Sequence, residues 1–438
     1  MATIDANPAS GTRDLLPDDV TRRERAFATI RATFDAHGFA PLETPAFERL
    51  EVLTGKYGEE GDQLIFKILR RGDHEASGDA DLALRYDLTV PLARVAARYG
   101  SQLPTPFKRY QIAPVWRADR PGKGRYREFY QCDVDTIGSD SLTADAATLV
   151  AVTDALRALG LDGFRVQLNS RRALRGLVEA YGIDVAQEGE ALVALDKLDK
   201  IGLDGVAAEL AARGIGSAAI AALGEDLSAS DPAAAVRGRL ERSETGVAGL
   251  TEVDRVLELV GDAVPVTYAP VLARGLSYYT GPVFEVVHAG LDATIAAGGR
   301  YDGLIGMFQA NDVPATGGSL GLERILLLLA AAEQARTGPA GPEVLVTVMD
   351  EDGAADALAL AGRIRAAGHT VEPYSGGGRL KLAKQLKYAD RRGVRVVVIR
   401  GAEERAAATV TCKALATGEQ RTVPLDDLEP TLAAWLSA

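Results

Sequence analysis

Cysteine and histidine are scarce in this 438-residue chain. Its two cysteines, Cys132 and Cys412, lie far apart and neither has a CxxC partner. That excludes a disulfide framework and a zinc ribbon, and it fits a reducing cytoplasm. The four histidines, His37, His74, His288 and His369, share no ligand spacing, so no metal centre is expected. No apolar run reaches the roughly 18 residues of a membrane span. The N-terminal MATIDANPASGTRDLLP also lacks the apolar core of a leader, so neither a membrane partner nor a signal peptide is expected. There is no GxxxxGK[ST] and no GxGxxG after a strand, which leaves P-loop and dinucleotide folds unsupported. Excess positive charge is missing too. A formal net charge of −12 argues against broad coating of nucleic acid.

The length suggests about three domains of ~150 residues. With 47% hydrophobic and 25% charged residues, the composition is that of a globular protein with a large core. Residues 19–37 carry Phe27, Ile30 and Phe34 on one helical side. DLALRYDLTVPLARVAARYG reads as a strand to Thr89 and then a helix from Pro91. PFKRYQIAPVWRAD and RYREFYQCDVDTIG flank RPGKG as a long antiparallel hairpin. Residues 171–262 turn rich in Ala and Leu, with helical stripes broken by glycine turns, and read as a helical insertion. Strand-rich sequence resumes over 263–333, a linker occupies 334–342, and 343–438 alternates strand and helix as a compact α/β domain.

Within this acidic chain, RADRPGKGRYREFYQC gathers four arginines and a lysine. Side chains alternate faces along a strand. Phe129, Gln131, Asp133 and Asp135 therefore share one face, and Tyr130, Cys132 and Val134 the other. On the preceding strand Arg109, Gln111 and Arg117 share a parity. If the two polar faces align, they form a floor for a zwitterion beside a phosphate. In LRYDLT, read as a strand, Arg85, Asp87 and Thr89 would share a face. LARGLSYYTG places Arg274 before two tyrosines, and AGGRYDGL places Tyr301 after two glycines. GGSLGLERIL reads as a glycine-rich turn into a helix, a frequent anion site.

These segments, in this order, closely resemble class II histidyl-tRNA synthetases. The arginine hairpin resembles motif 2 of that class, GGSLGLERI resembles motif 3, and PLETPAFERLEVL is similar to the more degenerate motif 1. RGLSYYTG and GGRYDGL resemble the two histidine-specific elements of the family. The wording LRYDLTVPLARV is nearer the archaeal and eukaryotic style than the common bacterial one. The implied fold class is α+β. A six- to seven-stranded antiparallel sheet is flanked by helices and split into 1–170 and 263–333 by the insertion, with an anticodon-binding domain at the C-terminus.

The implied activity is that of a ligase. L-histidine is activated by ATP with Mg2+ and passed to the terminal adenosine of tRNA(His), in a cytoplasmic homodimer joined through the motif 1 region. By resemblance Arg117 and Arg274 are the catalytic cations on the α-phosphate. Arg125 and Arg127 reach the outer phosphates or the tRNA end, and Phe129 and Arg324 sandwich the adenine. Asp87, Thr89 and Gln131 match the binders of the α-ammonium, while Asp135, Tyr279 and Tyr301, with Tyr278 beside them, match positions that read the imidazole. The family usually has an aspartate where this chain has Ser277. A second reading is a regulatory, histidine-sensing paralogue; such relatives lose catalytic arginines or the C-terminal domain, and this chain keeps both. Residues 375–400 hold Arg379, Lys384, Lys387 and Arg391, the last three along one helical face, with Tyr388 available to stack. That region is expected to contact tRNA.

Overall fold

The computed structural model describes residues 4–437 except 73–76, 274–277, 334–340 and 377–380. Two compact units divide the chain, Met1–Ala331 and Ala332–Ala438.

In chain order the strands of the first unit are β1 (Ala40–Pro41), β2 (Phe47–Arg49), β3 (Lys67–Leu69), β4 (Ala80–Leu84), β5 (Phe107–Trp116), β6 (Glu128–Ile137), β7 (Phe164–Ser170), β8 (Val266–Tyr268), β9 (Pro282–His288), β10 (Leu291–Arg300) and β11 (Ala315–Gly321). Eight of them form one sheet in the order β1-β5-β6-β11-β10-β9-β7-β8. From β5 to β7 every neighbouring pair is antiparallel. The short β1 and β8 add parallel pairings at the two edges. Short edge strands offer little template for unwanted pairing.

The alternation on β6 decides what lies on each side of this sheet. Cys132 and Val134 enter the main core with Val166, Leu168, Val286 and Leu320. Helices Pro17–Ala36 and Leu142–Ala158 pack on that face, the first through Phe27, Ile30 and Phe34. On the opposite face the polar set of β6 is roofed by a second cluster that includes Tyr57, Tyr86, Leu92, Tyr278, Tyr301 and Ile305. A small sheet, β2-β4-β3, lies within this part of the unit.

LRYDLT does not continue as a strand. β4 ends at Leu84, and the helix that follows, Thr89–Tyr99, starts before Pro91. The Asp87 carboxylate accepts a hydrogen bond from the Val90 backbone N–H at 3.0 Å. It thereby satisfies one of the donors left over at a helix start. Arg85 turns away and donates to the carbonyls of Thr44 (2.7 Å) and Pro114 (2.8 Å). A short polar alternation fits a turn plus cap as well as a strand, and the tertiary acceptors for Arg85 select the turn.

Between β7 and β8 the chain is helical, from Arg171–Ala180 to Glu244–Val260. It has its own core, with Leu174, Leu177, Leu192, Leu210 and Val236. Helix Glu244–Val260 crosses helix Arg171–Ala180 closely at Gly249, where an added Cβ would lie 2.1 Å from the Ala173 nitrogen.

The second unit contains β12 (Val344–Val346), β13 (Val371–Pro373), β14 (Val396–Ile399), β15 (Thr409–Ala414) and β16 (Gln420–Pro424). Their order is β13-β12-β14-β15-β16, parallel through the first three and antiparallel beyond. Helices Ala354–Ala366, Leu382–Arg391 and Leu428–Leu436 belong to the same unit.

Candidate active site

The hairpin register builds the floor. Arg109 pairs with Asp135, Gln111 with Asp133, Ala113 with Gln131 and Val115 with Phe129. The two polar faces therefore align. Arg109 is wholly buried and forms an ion pair with Asp135, Nη2 to Oδ2 at 2.8 Å. The Tyr301 hydroxyl donates to the other oxygen of Asp135. Gly317 on β11 leaves room for this carboxylate, since a Cβ there would sit 1.9 Å from Asp135 Oδ1. Burial raises the Asp135 pKa, and the Arg109 charge opposes the rise. Burial likewise pushes Asp133 up to about 7, again against Arg109. A desolvated carboxylate tolerates its charge only beside cations or donors.

Above this floor is a cavity of about 320 Å³. Asp87, Thr89, Gln131, Asp135, Tyr278, Tyr279 and Tyr301 all line it. Asp87 reaches it from the cap of helix Thr89–Tyr99, where the Tyr57 hydroxyl also donates to it at 3.1 Å. Burial raises the Asp87 pKa, and the Val90 N–H and the Arg117 charge work the other way. Burial also raises the phenols of Tyr278, Tyr279 and Tyr301, so they stay protonated as donors. The cavity thus sets carboxylate acceptors beside phenolic donors, a pattern that suits a cationic group and a ring with both kinds of nitrogen.

A second cavity, of about 280 Å³, is lined by Asp119, Arg125, Tyr126, Glu323 and others. Arg117, Phe129, Gly321 and Arg324 line both cavities. The Arg117 guanidinium lies 4.3 Å from the Tyr86 ring centre and 5.2 Å from that of Phe129. Its Nε donates to the Tyr86 carbonyl at 3.2 Å. Two aromatic faces and one backbone acceptor thus hold a cation where the cavities meet. Arg324 donates to the Thr294 carbonyl. Arg13 pairs with Glu323 and lies 4.0 Å over the Tyr126 ring, tying the N-terminal segment to this wall.

Most of the residues singled out in the sequence converge here. Arg127 does not. It donates to the carbonyls of Ser10 (3.1 Å) and Asp119 (3.2 Å), and so fastens the loop instead of lining either cavity. Arg125 lines the second cavity while paired with Asp119 at 2.7 Å. Arg274 and Ser277 lie outside the described residues, as does Arg379. Sequence reasoning gave no role to Ser319, Glu285 or Thr294, which line the first cavity together with Asp133. Asp133 was visible on the polar face. Tyr57 and Tyr86 carry no local signal, because only tertiary packing stacks them 4.3 Å apart beside Asp87 and Arg117.

In the second unit, Lys384, Lys387 and Arg391 are exposed on helix Leu382–Arg391. Gln385 on the same helix is buried and bonds both the N–H (3.0 Å) and the carbonyl (2.6 Å) of Val348, which fixes the basic face outward. Tyr388 is not free to stack. Its ring meets Tyr374 edge-on at 5.5 Å, and its hydroxyl donates to Glu372.

The histidyl-tRNA synthetase family model matches residues 11–325, and the anticodon-binding-domain model matches 343–435. The histidine–tRNA ligase of Gloeobacter violaceus is 40% identical over 95% of this chain and 96% of its own. That of Rhodopirellula baltica is 39% identical over 98% and 97%. Among solved structures, the histidyl-tRNA synthetase from Nostoc sp. PCC 7120 superposes with a TM-score of 0.81 at 31% identity, over 99% of this chain and 100% of that one. A family match over most of the first unit, a domain match over the second and full-length relatives agree: the chain belongs to the histidyl-tRNA synthetase family.

Proposed function

We propose that the two adjoining cavities divide one reaction, with histidine in the first, ATP in the second, and the α-phosphate at Arg117 between them. As a member of its family the chain is an aminoacyl-tRNA synthetase, a ligase that joins histidine to tRNA at the expense of ATP. The observation that carries the site assignment is the shared wall: Arg117, Phe129, Gly321 and Arg324 face both cavities.

In the first cavity Asp87, Thr89 and Gln131 receive the α-ammonium. Asp135 accepts from one ring N–H, and the tyrosine hydroxyls face the other nitrogen. In the second cavity the adenine lies between Phe129 and Arg324, with Arg125 toward the outer phosphates. The histidine carboxylate attacks the α-phosphorus, a new P–O bond forms, and the bond to the β-phosphate breaks with release of pyrophosphate. The carboxylate is already ionised, so no protein base is needed. Negative charge builds on the α-phosphate oxygens in the transition state, and a cation fixed there stabilises that state more than it stabilises bound ATP. Arg274, by resemblance, supplies a second such cation. The terminal ribose hydroxyl of tRNA then attacks the adenylate carbonyl, and AMP leaves.

Magnesium accompanies ATP in this reading. Asp119 and Glu323, the carboxylates of the second cavity, already pair with Arg125 and Arg13. The phosphates themselves would carry the ion, and EDTA should abolish turnover. The exposed basic face of helix Leu382–Arg391 contacts tRNA(His). Two copies associate through the motif 1 region, a reading supported by exposed Phe47 and Leu69 and a groove of about 630 Å³ that includes Glu48, Arg49 and Tyr99. Sedimentation at the mass of one chain would oppose it. Charging tRNA puts the working site in the cytoplasm. The direct test is histidine-dependent ATP–pyrophosphate exchange; folded protein that shows none contradicts the assignment.

A further inference from the structure

The floor of the first cavity holds a carboxylate to which the reaction above gives no role. Asp133 is 2% exposed, lies between Gln131 and Asp135 on the same strand face, and lines the cavity. Ser319 on β11 sits opposite it in register. The Ser319 oxygen accepts from Gln131 Nε2 at 3.1 Å. That bond orients the amide: with its nitrogen committed to serine, Gln131 has its carbonyl oxygen left for a ligand.

Apart from Asp135 Oδ2, which is ion-paired with Arg109, three buried acceptor atoms in this wall lack a donor among the described residues: Asp133 Oδ1, Gln131 Oε1 and Asp87 Oδ2. Buried acceptors are normally satisfied, so a group of three points to a missing donor. A primary ammonium carries three N–H bonds and one positive charge, which matches three acceptors, two of them on carboxylates. Thr89 lines the same wall, and its hydroxyl oxygen can accept as well.

We propose that Asp133 is a specificity-determining residue that accepts a hydrogen bond from the α-ammonium of histidine, as a further acceptor beside Asp87, Thr89 and Gln131, with Ser319 as the positioning residue for Gln131. The proposal rests on the reading of this cavity as the histidine site. Arg109 and Asp135 lie under the ring end of the cavity, so Asp133 and Asp135 divide the substrate: one takes the amine and the other the imidazole. An amino acid is thereby held at two points along one strand.

The test combines exchange kinetics with two analogues. Histidinol keeps the amine and lacks the carboxylate; imidazolepropionate keeps the ring and carboxylate and lacks the amine. Asp133→Asn keeps the shape and removes the charge. It should raise the histidine KM roughly 10- to 100-fold, the worth of a hydrogen bond to a charged group, while the ATP KM is unchanged. Histidinol binding should weaken in step, and inhibition by imidazolepropionate should change less than about twofold. Ser319→Ala should raise the histidine KM by a few-fold, in the same analogue pattern. Equal weakening of both analogues in Asp133→Asn, or an unchanged histidine KM, overturns the proposal. Wild-type protein with no histidine-dependent exchange defeats the underlying assignment instead, before any variant is measured.

Discussion

Gly317→Ala tests the floor of the first cavity with the smallest possible addition. The new Cβ would lie 1.9 Å from Asp135 Oδ1, 2.5 Å from its Cγ and 3.0 Å from the Val134 carbonyl oxygen. Side-chain contacts closer than 3.0 Å are essentially never seen at a Cβ, so the carboxylate must retreat by about 1.1 Å. It cannot do so freely. Tyr301 donates to the oxygen that is struck, and Arg109 holds the other at 2.8 Å. Loss of the tyrosine bond alone costs about 1–3 kcal/mol. Loss of the buried ion pair as well would cost about 3–5 kcal/mol. If about 3 kcal/mol, where the two ranges meet, is lost from histidine binding, the histidine KM rises about 150-fold. The assay is ATP–pyrophosphate exchange against histidine concentration, with thermal melting alongside. Gly303→Ala is the control, because a Cβ there meets nothing within 4 Å. If Gly317→Ala keeps a wild-type histidine KM and melting temperature, Asp135 is not held as described.

Arg117→Ala should reduce exchange by at least ~100-fold through loss of transition-state charge stabilisation; Arg127→Ala, which loses only carbonyl anchors at Ser10 and Asp119, should reduce it far less. Equal losses would mean that the loop, and not the cation at the junction, governs chemistry. Lys384→Ala with Lys387→Ala should lower tRNA charging about tenfold or more and spare exchange, with a shallower salt dependence; equal loss of both activities would tie that helix to the first unit. Burial gives Asp133 a raised folded pKa of about 7, against ~3.9 unfolded. The native state therefore binds the extra proton, and its stability falls as pH rises through that window. Ligand-free Asp133→Asn should melt above wild type at pH 8, and the gain should vanish near pH 4; a variant less stable at pH 8 would refute the buried-charge account.

Much of the site was legible because a strand repeats every two residues. FYQCDVD alternates cleanly, so Cys132 and Val134 could be sent to the core and Gln131, Asp133 and Asp135 to the floor. The hairpin was legible as two long strands around a glycine-containing loop, but its register, left open in the sequence, comes from the structure. What failed to show was set by distant partners. Arg85 looked like part of a polar strand face, but the acceptors that turn it away lie at Thr44 and Pro114. Arg127 was expected at the outer phosphates or the tRNA end, and nothing local signals that the Ser10 carbonyl, 117 positions earlier, accepts from its guanidinium. Tyr388 looked free, but Tyr374 and Glu372 occupy its ring edge and hydroxyl. Asp133 was visible as a polar residue, and only the three unsatisfied acceptors around one cavity give it a task.

The central claim is that one arginine stands between an amino-acid cavity and a nucleotide cavity. A crystal structure with histidinol and ATP measures this directly. The account predicts the imidazole against Asp135, the amine among Asp87, Thr89, Gln131 and Asp133, the adenine between Phe129 and Arg324, and the α-phosphate on Arg117. Adenine bound in the cavity of Asp135 and Tyr301, or an α-phosphate out of reach of Arg117, would contradict it.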